Sequence, residues 1–193
     1  DQIRLDEPMS RHTTFRVGGP ADVFFLPESA GQLVRALDAA KAAGVPAVVI
    51  GNGSNLLVRD KGIRGLVIAL GESFSEIKTD GNVVEAQAGI SLAKLASAVQ
   101  AAGLSGLEFA SGIPGTLGGG CAMNAGAYGG QLSDVLIDAR VLMDGALRTL
   151  TRDGMQMGYR TTLPLRRGGI VVSARFALTP GDIAAARLPI ALV

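Results

Sequence analysis

DVFFLPESAGQLVRALDAAKAAGVPAVVIGNGSN, residues 22–55, reads as a strand, a helix, a second strand and a glycine-studded loop. Asp22–Leu26 is a short run of β-branched and aromatic residues stopped by Pro27. Ser29 is an N-cap, since its hydroxyl can accept from a first-turn N–H, and Leu33, Val34, Leu37 and Ala40 follow at helical spacing. Gly44 closes that helix. Ala47–Ile50 is continuously apolar, the pattern of a strand buried on both faces. Strand, helix and strand in this order predict one parallel βαβ unit.

Outward from this unit the pattern stays mixed. Leu66–Leu70 and Asn82–Gln87 read as strands, and Ser91 caps a second helix with Leu92, Leu95, Ala96 and Val99 on one face, ended by Gly103. Val135–Met143 and Ala146–Leu150 flank Asp144-Gly145, a strong hairpin signal. Ile170–Leu178 is the last strand. The expectation is an α+β chain with a small α/β lobe over 1–67, a larger and more antiparallel lobe over 68–180, and a tail over 181–193.

Composition excludes several classes of function. The chain has 193 residues, 48% of them hydrophobic and 18% charged, enough for a buried core and too apolar for disorder. A net charge of +1 gives no counterion-release drive toward nucleic acid, and an aromatic content of 4% without tryptophan offers little for stacking bases. The lone Cys121 cannot close an intrachain disulfide. The N-terminal stretch has no signal-peptide h-region. The longest uncharged run, Phe109–Ser133, holds eight glycines and a proline, poor material for a lipid-facing helix. A soluble cytoplasmic protein with no membrane or nucleic-acid partner is expected.

Glycine is abundant, at 27 residues, and two loops concentrate it. In Gly51-Asn52-Gly53-Ser54-Asn55, glycines at i and i+2 let successive backbone N–H groups converge on an anion, with the Ser54 hydroxyl and the Asn52 and Asn55 amides as neutral donors. A third glycine at the Rossmann spacing is missing, because position 56 is Leu56, and no Walker motif exists. On spacing alone, a plain strand-to-strand turn is the stronger reading. The second loop runs Gly112-Ile-Pro-Gly-Thr-Leu-Gly-Gly-Gly120 and then Met123–Gly130. A triple glycine favours neither helix nor strand. Such a charge-free stretch is either a backbone bed for a bound cofactor or tight packing between lobes, and composition does not separate the two.

Single residues say less. His12 is the only histidine, so a His-dependent triad or multi-His metal site is unavailable, and it reads as a cap or surface residue. Cys121 reads as a small buried filler. Arg160, after Gly158-Tyr159, could hold a carboxylate through two parallel hydrogen bonds, though most arginines are surface charges. Glu85, Glu108, Asp134 and Asp138 show no ligand spacing, and no metal is expected.

HTTFRVGGPAD (12–22), VVIGNGSNLLVRD (48–60), GLSGLEFASGIPGTLGGGCAMNAGAYGG (103–130) and GYR (158–160) together resemble the UDP-N-acetylenolpyruvoylglucosamine reductase (MurB) family, in order over roughly Pro8 to Leu178. The resemblance implies the vanillyl-alcohol-oxidase (PCMH-type) FAD-binding fold, two α+β lobes with the flavin between them. It implies FAD as cofactor, NADPH as reductant and a UDP-sugar substrate, the product being UDP-N-acetylmuramate for peptidoglycan. By matched motif, Gly51, Asn52, Gly53, Ser54 and Asn55 would bind the FAD diphosphate. Ile113, Pro114, Gly115, Thr116, Gly118, Gly119, Asn124, Gly126 and Ala127 would line the adenine-to-flavin bed, with Val171 near the flavin. Tyr159 and Arg160 would meet substrate, Arg160 at its carboxylate as the catalytic residue.

Family members continue into a third domain that carries a serine proton donor and a later catalytic glutamate. Here the chain reaches Val193 through an apolar ending, Leu188–Val193, and neither segment is present. The expectation is a reductase lacking its C-terminal domain, or an FAD-binding module without complete catalysis.

Overall fold

The computed structural model of the chain describes residues 2–181. Residues 182–193, including the apolar ending discussed above, lie outside the described residues.

The first sheet contains β1 (Ile3–Pro8), β2 (Pro20–Phe25), β3 (Ala47–Ile50) and β4 (Ile63–Ala69), in the order β1-β2-β4-β3. β1 runs antiparallel to β2, while β2 and β3 both run parallel to β4. Helix α1 (Ala30–Ala42) makes the crossover from β2 to β3. Its local signals work as read: the Ser29 hydroxyl accepts from the Gln32 N–H, and Gly44 takes φ +65° just past the helix end. The βαβ unit therefore forms, but β4 enters between its two strands. The last strand of this sheet runs to Ala69.

β3 corrects the sequence reading. Its apolar run predicts burial on both faces, yet it is the edge strand, and Ala47 and Val48 are exposed. Its apolar side chains serve a cleft described below, not only the core.

After a turn come β5 (Ile77–Asp80) and β6 (Val83–Gln87), then α2 (Leu92–Ala101), β7 (Leu104–Ser105), α3 (Leu117–Ala122) and the small hairpin β8 (Gly126–Ala127) and β9 (Gly130–Gln131). A turn of helix α4 (Leu132–Val135) leads into β10 (Leu136–Met143) and β11 (Ala146–Thr151). Short helices α5 (Arg152–Met155) and α6 (Leu163–Arg166) precede β12 (Ile170–Ala177) and β13 (Thr179–Pro180). The second sheet is antiparallel, in the order β11-β10-β12-β6-β5. Asp144 and Gly145 both have positive φ, and Met143 pairs with Ala146, so the expected two-residue hairpin forms. Arg175 of β12 binds the buried Asp138 of β10 through two nitrogens, which satisfies that carboxylate.

The lobes share a core. Leu33 of α1, fully buried, packs with Ile68 of β4 and with Ala88, Leu142 and Val172 of the second lobe. Burying one leucine contributes about 1.5–3 kcal/mol, so this seam fixes the first sheet on the second. The four side chains Leu92, Leu95, Ala96 and Val99 of α2 are buried as the spacing predicts.

α3 is the second correction: Leu-Gly-Gly-Gly-Cys-Ala is helical despite its poor propensity. Packing decides it. A Cβ at Gly118 would stand 2.9 Å from the Ala88 Cβ, and one at Gly120 would stand 3.1 Å from a Leu92 methyl. The bare helix surface thus approaches α2 and the residue just past β6 more closely than any other residue permits. No helix among the described residues is long and apolar enough to cross a membrane.

Candidate functional site

The exposed edge of β3 forms one wall of a cleft of about 520 Å³, within the roughly 300–1,000 Å³ typical of ligand sites. Val48–Ile50 lead into the Gly51–Leu56 loop on one side. Ile113–Thr116, Gly119 and Gly120 of α3, Met123, Ala125 and Gly126 form the other side, and Arg160 closes an end. A separate groove of about 400 Å³ lies between α1 and the β10–β11 turn; it mixes Asp38, Lys41 and Asp144 with apolar side chains and includes neither glycine loop.

The two loops meet directly. The Ser54 hydroxyl donates to the Pro114 carbonyl at 3.3 Å, and a Cβ at Gly51 would lie 2.2 Å from the Thr116 hydroxyl. Gly51 is therefore glycine because Thr116 occupies its side-chain position. Gly119 differs. A Cβ there would meet nothing nearer than the Thr116 hydroxyl at 3.9 Å, although Gly119 lines the cleft. The protein does not need a glycine at 119 for packing, whereas a flat ligand pressed on α3 does.

Hydrogen bonding makes the same point. Among the described residues, no backbone N–H from Gly51 to Asn55, and none at Gly115, Thr116 or Gly119, donates to a protein acceptor. All eight line the cleft, and Arg160 is its sole charged described lining residue. A facing pair of loops with unspent amides, one cation and no carboxylate is chemically suited to an anionic, extended, partly apolar ligand. Among the described residues no cluster of His, Cys, Asp or Glu could hold a metal.

Arg160 sits in the tight turn Gly158–Thr161, whose end residues exchange backbone hydrogen bonds, and has φ +54°. Its Nη2 donates to the Gly126 carbonyl at 3.3 Å, and its guanidinium lies 5.3 Å from the Tyr159 ring centroid. Thr162, fully buried, donates to the Ala122 carbonyl and ties this turn to the end of α3.

Of the expected site residues, Gly51, Asn52, Gly53, Ser54, Asn55, Ile113, Pro114, Gly115, Thr116, Gly119, Gly126 and Arg160 come together in the cleft. Five fall outside its lining. Gly118 faces Ala88, and Val171 is buried in the core of the second lobe. The buried Asn124 spends its side chain on protein, donating to Gln131 and to the Gly158 carbonyl and accepting from the Ser133 N–H. Ala127 pairs with Gly130 in the β8–β9 hairpin, and Tyr159 is 88% exposed. Val48, Val49, Leu56, Leu92, Met123 and Ala125 line the cleft without having been expected there. The apolar run of β3 carries that signal, because an apolar strand at a sheet edge needs something to cover it.

His12 caps the end of the one-turn helix Met9–Arg11, its backbone N–H donating to the Met9 carbonyl, but its side chain is turned inward rather than to the surface. Its ring stacks on the buried Phe24, 4.0 Å between centroids, and its Nε2 lies 2.8 Å from Glu7 Oε1. That hydrogen bond, helped by Arg4 at 3.1 Å, holds the Glu7 carboxyl below the ordinary carboxylate value against the opposing effect of burial. A carboxylate more acidic in the fold than in the unfolded chain stabilises the fold above its unfolded pKa and loses that contribution as pH falls through the folded one. Glu7→Gln therefore lowers the melting temperature at neutral pH, and its deficit relative to wild type shrinks to nothing as the pH is lowered well below 4.5. Melting curves across that range check it; a deficit independent of pH would refute it. Cys121 is buried, its thiol pushed up to about 12 by burial, and is inert at neutral pH.

This fold and this cleft define an FAD-binding protein. Residues 21–151 match the family described as FAD binding domain, and the chain belongs to that family. It is 49% identical over 183 residues to the UDP-N-acetylenolpyruvoylglucosamine reductase of Alkaliphilus oremlandii, covering 94% of this chain and 60% of that protein. The protein of the same name from Agathobacter rectalis is 52% identical over 188 residues, again with 60% of its length covered. Among solved structures, UDP-N-acetylenolpyruvylglucosamine reductase (MurB) from Thermus caldophilus superposes with a TM-score of 0.81 at 36% identity, over 95% of this chain and 64% of that one. A cholesterol oxidase, at 21% identity and a TM-score of 0.69 over 92% of this chain and 38% of that one, shares the fold alone. The expected resemblance and fold class are thus borne out. The chain spans about 60% of the length of the curated relatives it matches.

Proposed function

We propose that this chain holds FAD in the cleft between its glycine loops and serves the NADPH-dependent reduction of UDP-N-acetylenolpyruvoylglucosamine to UDP-N-acetylmuramate, a cytoplasmic step of peptidoglycan precursor synthesis. The observation that carries the reading is the set of unspent amides on two facing loops, at Gly51–Asn55 and at Gly115, Thr116 and Gly119. Gly53 and Thr116 are buried and the other six are half-buried or exposed. Main-chain donors without protein acceptors that converge on one cleft are matched to an anionic ligand that displaces their water.

The residues present fit the cofactor. Gly51–Asn55 would hold the diphosphate through main-chain donors, without a lysine. Ile113–Thr116, Gly119 and Gly126 would form the bed along its length, and Val48–Ile50 the apolar wall. Gly118, Asn124, Ala127 and Val171 support that bed from behind: Gly118 lets α3 settle on Ala88, and Asn124 fastens the Gly158 turn. Bound flavin supplies hydride chemistry that no side chain in the cleft can.

Arg160 is the residue for the substrate carboxylate. Hydride addition to the vinyl methylene carbon leaves carbanion character next to that carboxylate, and a fixed guanidinium stabilises the negative charge as it develops. The Gly158–Thr161 turn and the hydrogen bond to Gly126 hold the guanidinium in place beforehand, so little reorganisation is needed during reaction. The Tyr159 ring, 5.3 Å from the guanidinium and exposed, would meet substrate beside it.

Purified protein tests the reading in two stages. Flavin absorbance that co-elutes in gel filtration, followed by NADPH consumption dependent on the enolpyruvyl sugar nucleotide with UDP-N-acetylmuramate as product, is the expected result. Retained flavin without that product supports the second reading, an FAD-binding module, which the 60% length coverage keeps in view. Protein that emerges colourless and takes up no added FAD overturns both.

Gly119→Ala separates a cofactor bed from simple packing. The new methyl meets no protein atom closer than 3.9 Å, and alanine is better in a helix by about 1 kcal/mol. The variant is expected to melt at or above the wild-type temperature while binding FAD about tenfold or more weakly. Unchanged FAD affinity, measured by flavin fluorescence titration, would count against α3 as the bed.

A further inference from the structure

The segment Met9–Gly19 lies behind the Gly51–Asn55 loop, and the contacts between them have a direction. The Thr14 N–H donates to the Gly53 carbonyl and the Thr14 hydroxyl to the Ser54 carbonyl, each at 3.4 Å. In a planar trans peptide the C=O and the following N–H point in opposite directions. Drawing the Gly53 carbonyl toward Thr14 turns the Ser54 N–H away from it, and drawing the Ser54 carbonyl does the same to the Asn55 N–H. Both amides lack protein acceptors among the described residues, and both residues line the cleft.

Thr14 is itself held through its neighbours. The His12 carbonyl abuts Gly53 so closely that a Cβ there would stand 2.0 Å away. The His12 ring is fixed by stacking on Phe24 of β2 and by donating to the buried Glu7 of β1, which accepts from Arg4 as well. Thr13, buried, donates to the Val17 carbonyl and closes the turn. From these contacts we infer that His12 and Thr14 are positioning residues for the cofactor's diphosphate: they aim the Ser54 and Asn55 amides from the far side of the loop without touching the ligand. The inference rests on the reading above that this loop takes the diphosphate.

The test uses the whole chain, FAD titration by flavin fluorescence, and amide proton shifts of Ser54, Asn55 and Thr116. In wild type all three amides move downfield when FAD is added. Thr14→Val removes one donor at an exposed site and leaves the apo melting temperature unchanged. It weakens FAD about tenfold and shrinks the Asn55 shift, but not that of Thr116 nor that of Ser54, whose peptide the Thr14 N–H still holds. His12→Ala shrinks both the Ser54 and the Asn55 shifts and also lowers the apo melting temperature, because Glu7 loses its donor. His12→Gln, whose side-chain amide can donate to Glu7, recovers most of the affinity and of the melting temperature. Wild-type-like affinity and shifts in Thr14→Val overturn the inference while leaving the diphosphate loop intact. Ser54 and Asn55 amides that do not move in FAD-loaded wild type overturn the loop assignment itself.

Discussion

A Gly53→Ala variant retains no FAD through gel filtration, its affinity reduced by at least about a hundredfold. Gly53 has φ +61°, a left-handed conformation that costs a residue bearing a Cβ about 1–2 kcal/mol. The added carbon would also lie 2.0 Å from the His12 carbonyl oxygen, a main-chain atom that cannot rotate aside. Relief requires the loop and the Met9–Gly19 turn to separate, which breaks the Thr14–Gly53 hydrogen bond and releases the amide direction it sets. Tenfold in affinity is about 1.4 kcal/mol, so strain and lost alignment together exceed a hundredfold. The first lobe keeps its sheet, since Gly53 lies outside every strand. Circular dichroism close to wild type with lost flavin is therefore the expected pair of results; an alanine variant that stays yellow would show that the loop tolerates the shift and holds little of the ligand.

Gly53 also shows what a sequence can and cannot disclose. Local signals were readable because their physics is local: Ser29 and Ser91 bond amides three residues on, and Asp144-Gly145 needs only its own two backbone conformations. The glycine loops were visible as concentrations of glycine, but their causes lie far along the chain. Gly51 answers to Thr116, Gly53 to His12 and Gly118 to Ala88, pairings that no local window contains. The helix through Gly118–Gly120 was unreadable for the same reason, since tertiary contact overrides propensity there. β3 was found as a strand and misplaced in the sheet, because an apolar run looks identical whether a helix, a second sheet or a ligand covers it. The chemistry of Arg160 suits a carboxylate, but only the motif resemblance separates it from a surface arginine. Its place in the cleft depends on the bonds from Asn124, in the loop after α3, to Gly158 and from Thr162 to Ala122 of α3. The positive φ at Asn124 and Arg160 has no sequence signature beyond the tolerance of asparagine for that region.

The largest catalytic effect is expected at Arg160. Arg160→Ala lowers turnover of the enolpyruvyl sugar nucleotide about a hundred- to a thousandfold, the range for removal of one preorganised donor to a developing negative charge. Arg160→Lys falls between the two, because an ammonium keeps the charge and loses the planar pair of donors that matches a carboxylate. Cofactor content provides the control. Arg160 stands at the end of the cleft, held by the Gly126 carbonyl, and not within the Gly51–Asn55 loop, so flavin retained through gel filtration should be near wild type. A variant that loses turnover and flavin together would place Arg160 in cofactor binding. One that keeps both would remove it from the site. Loss of turnover with flavin retained, and with kcat falling more than KM rises, is the pattern expected of a guanidinium that binds the transition state more tightly than the substrate.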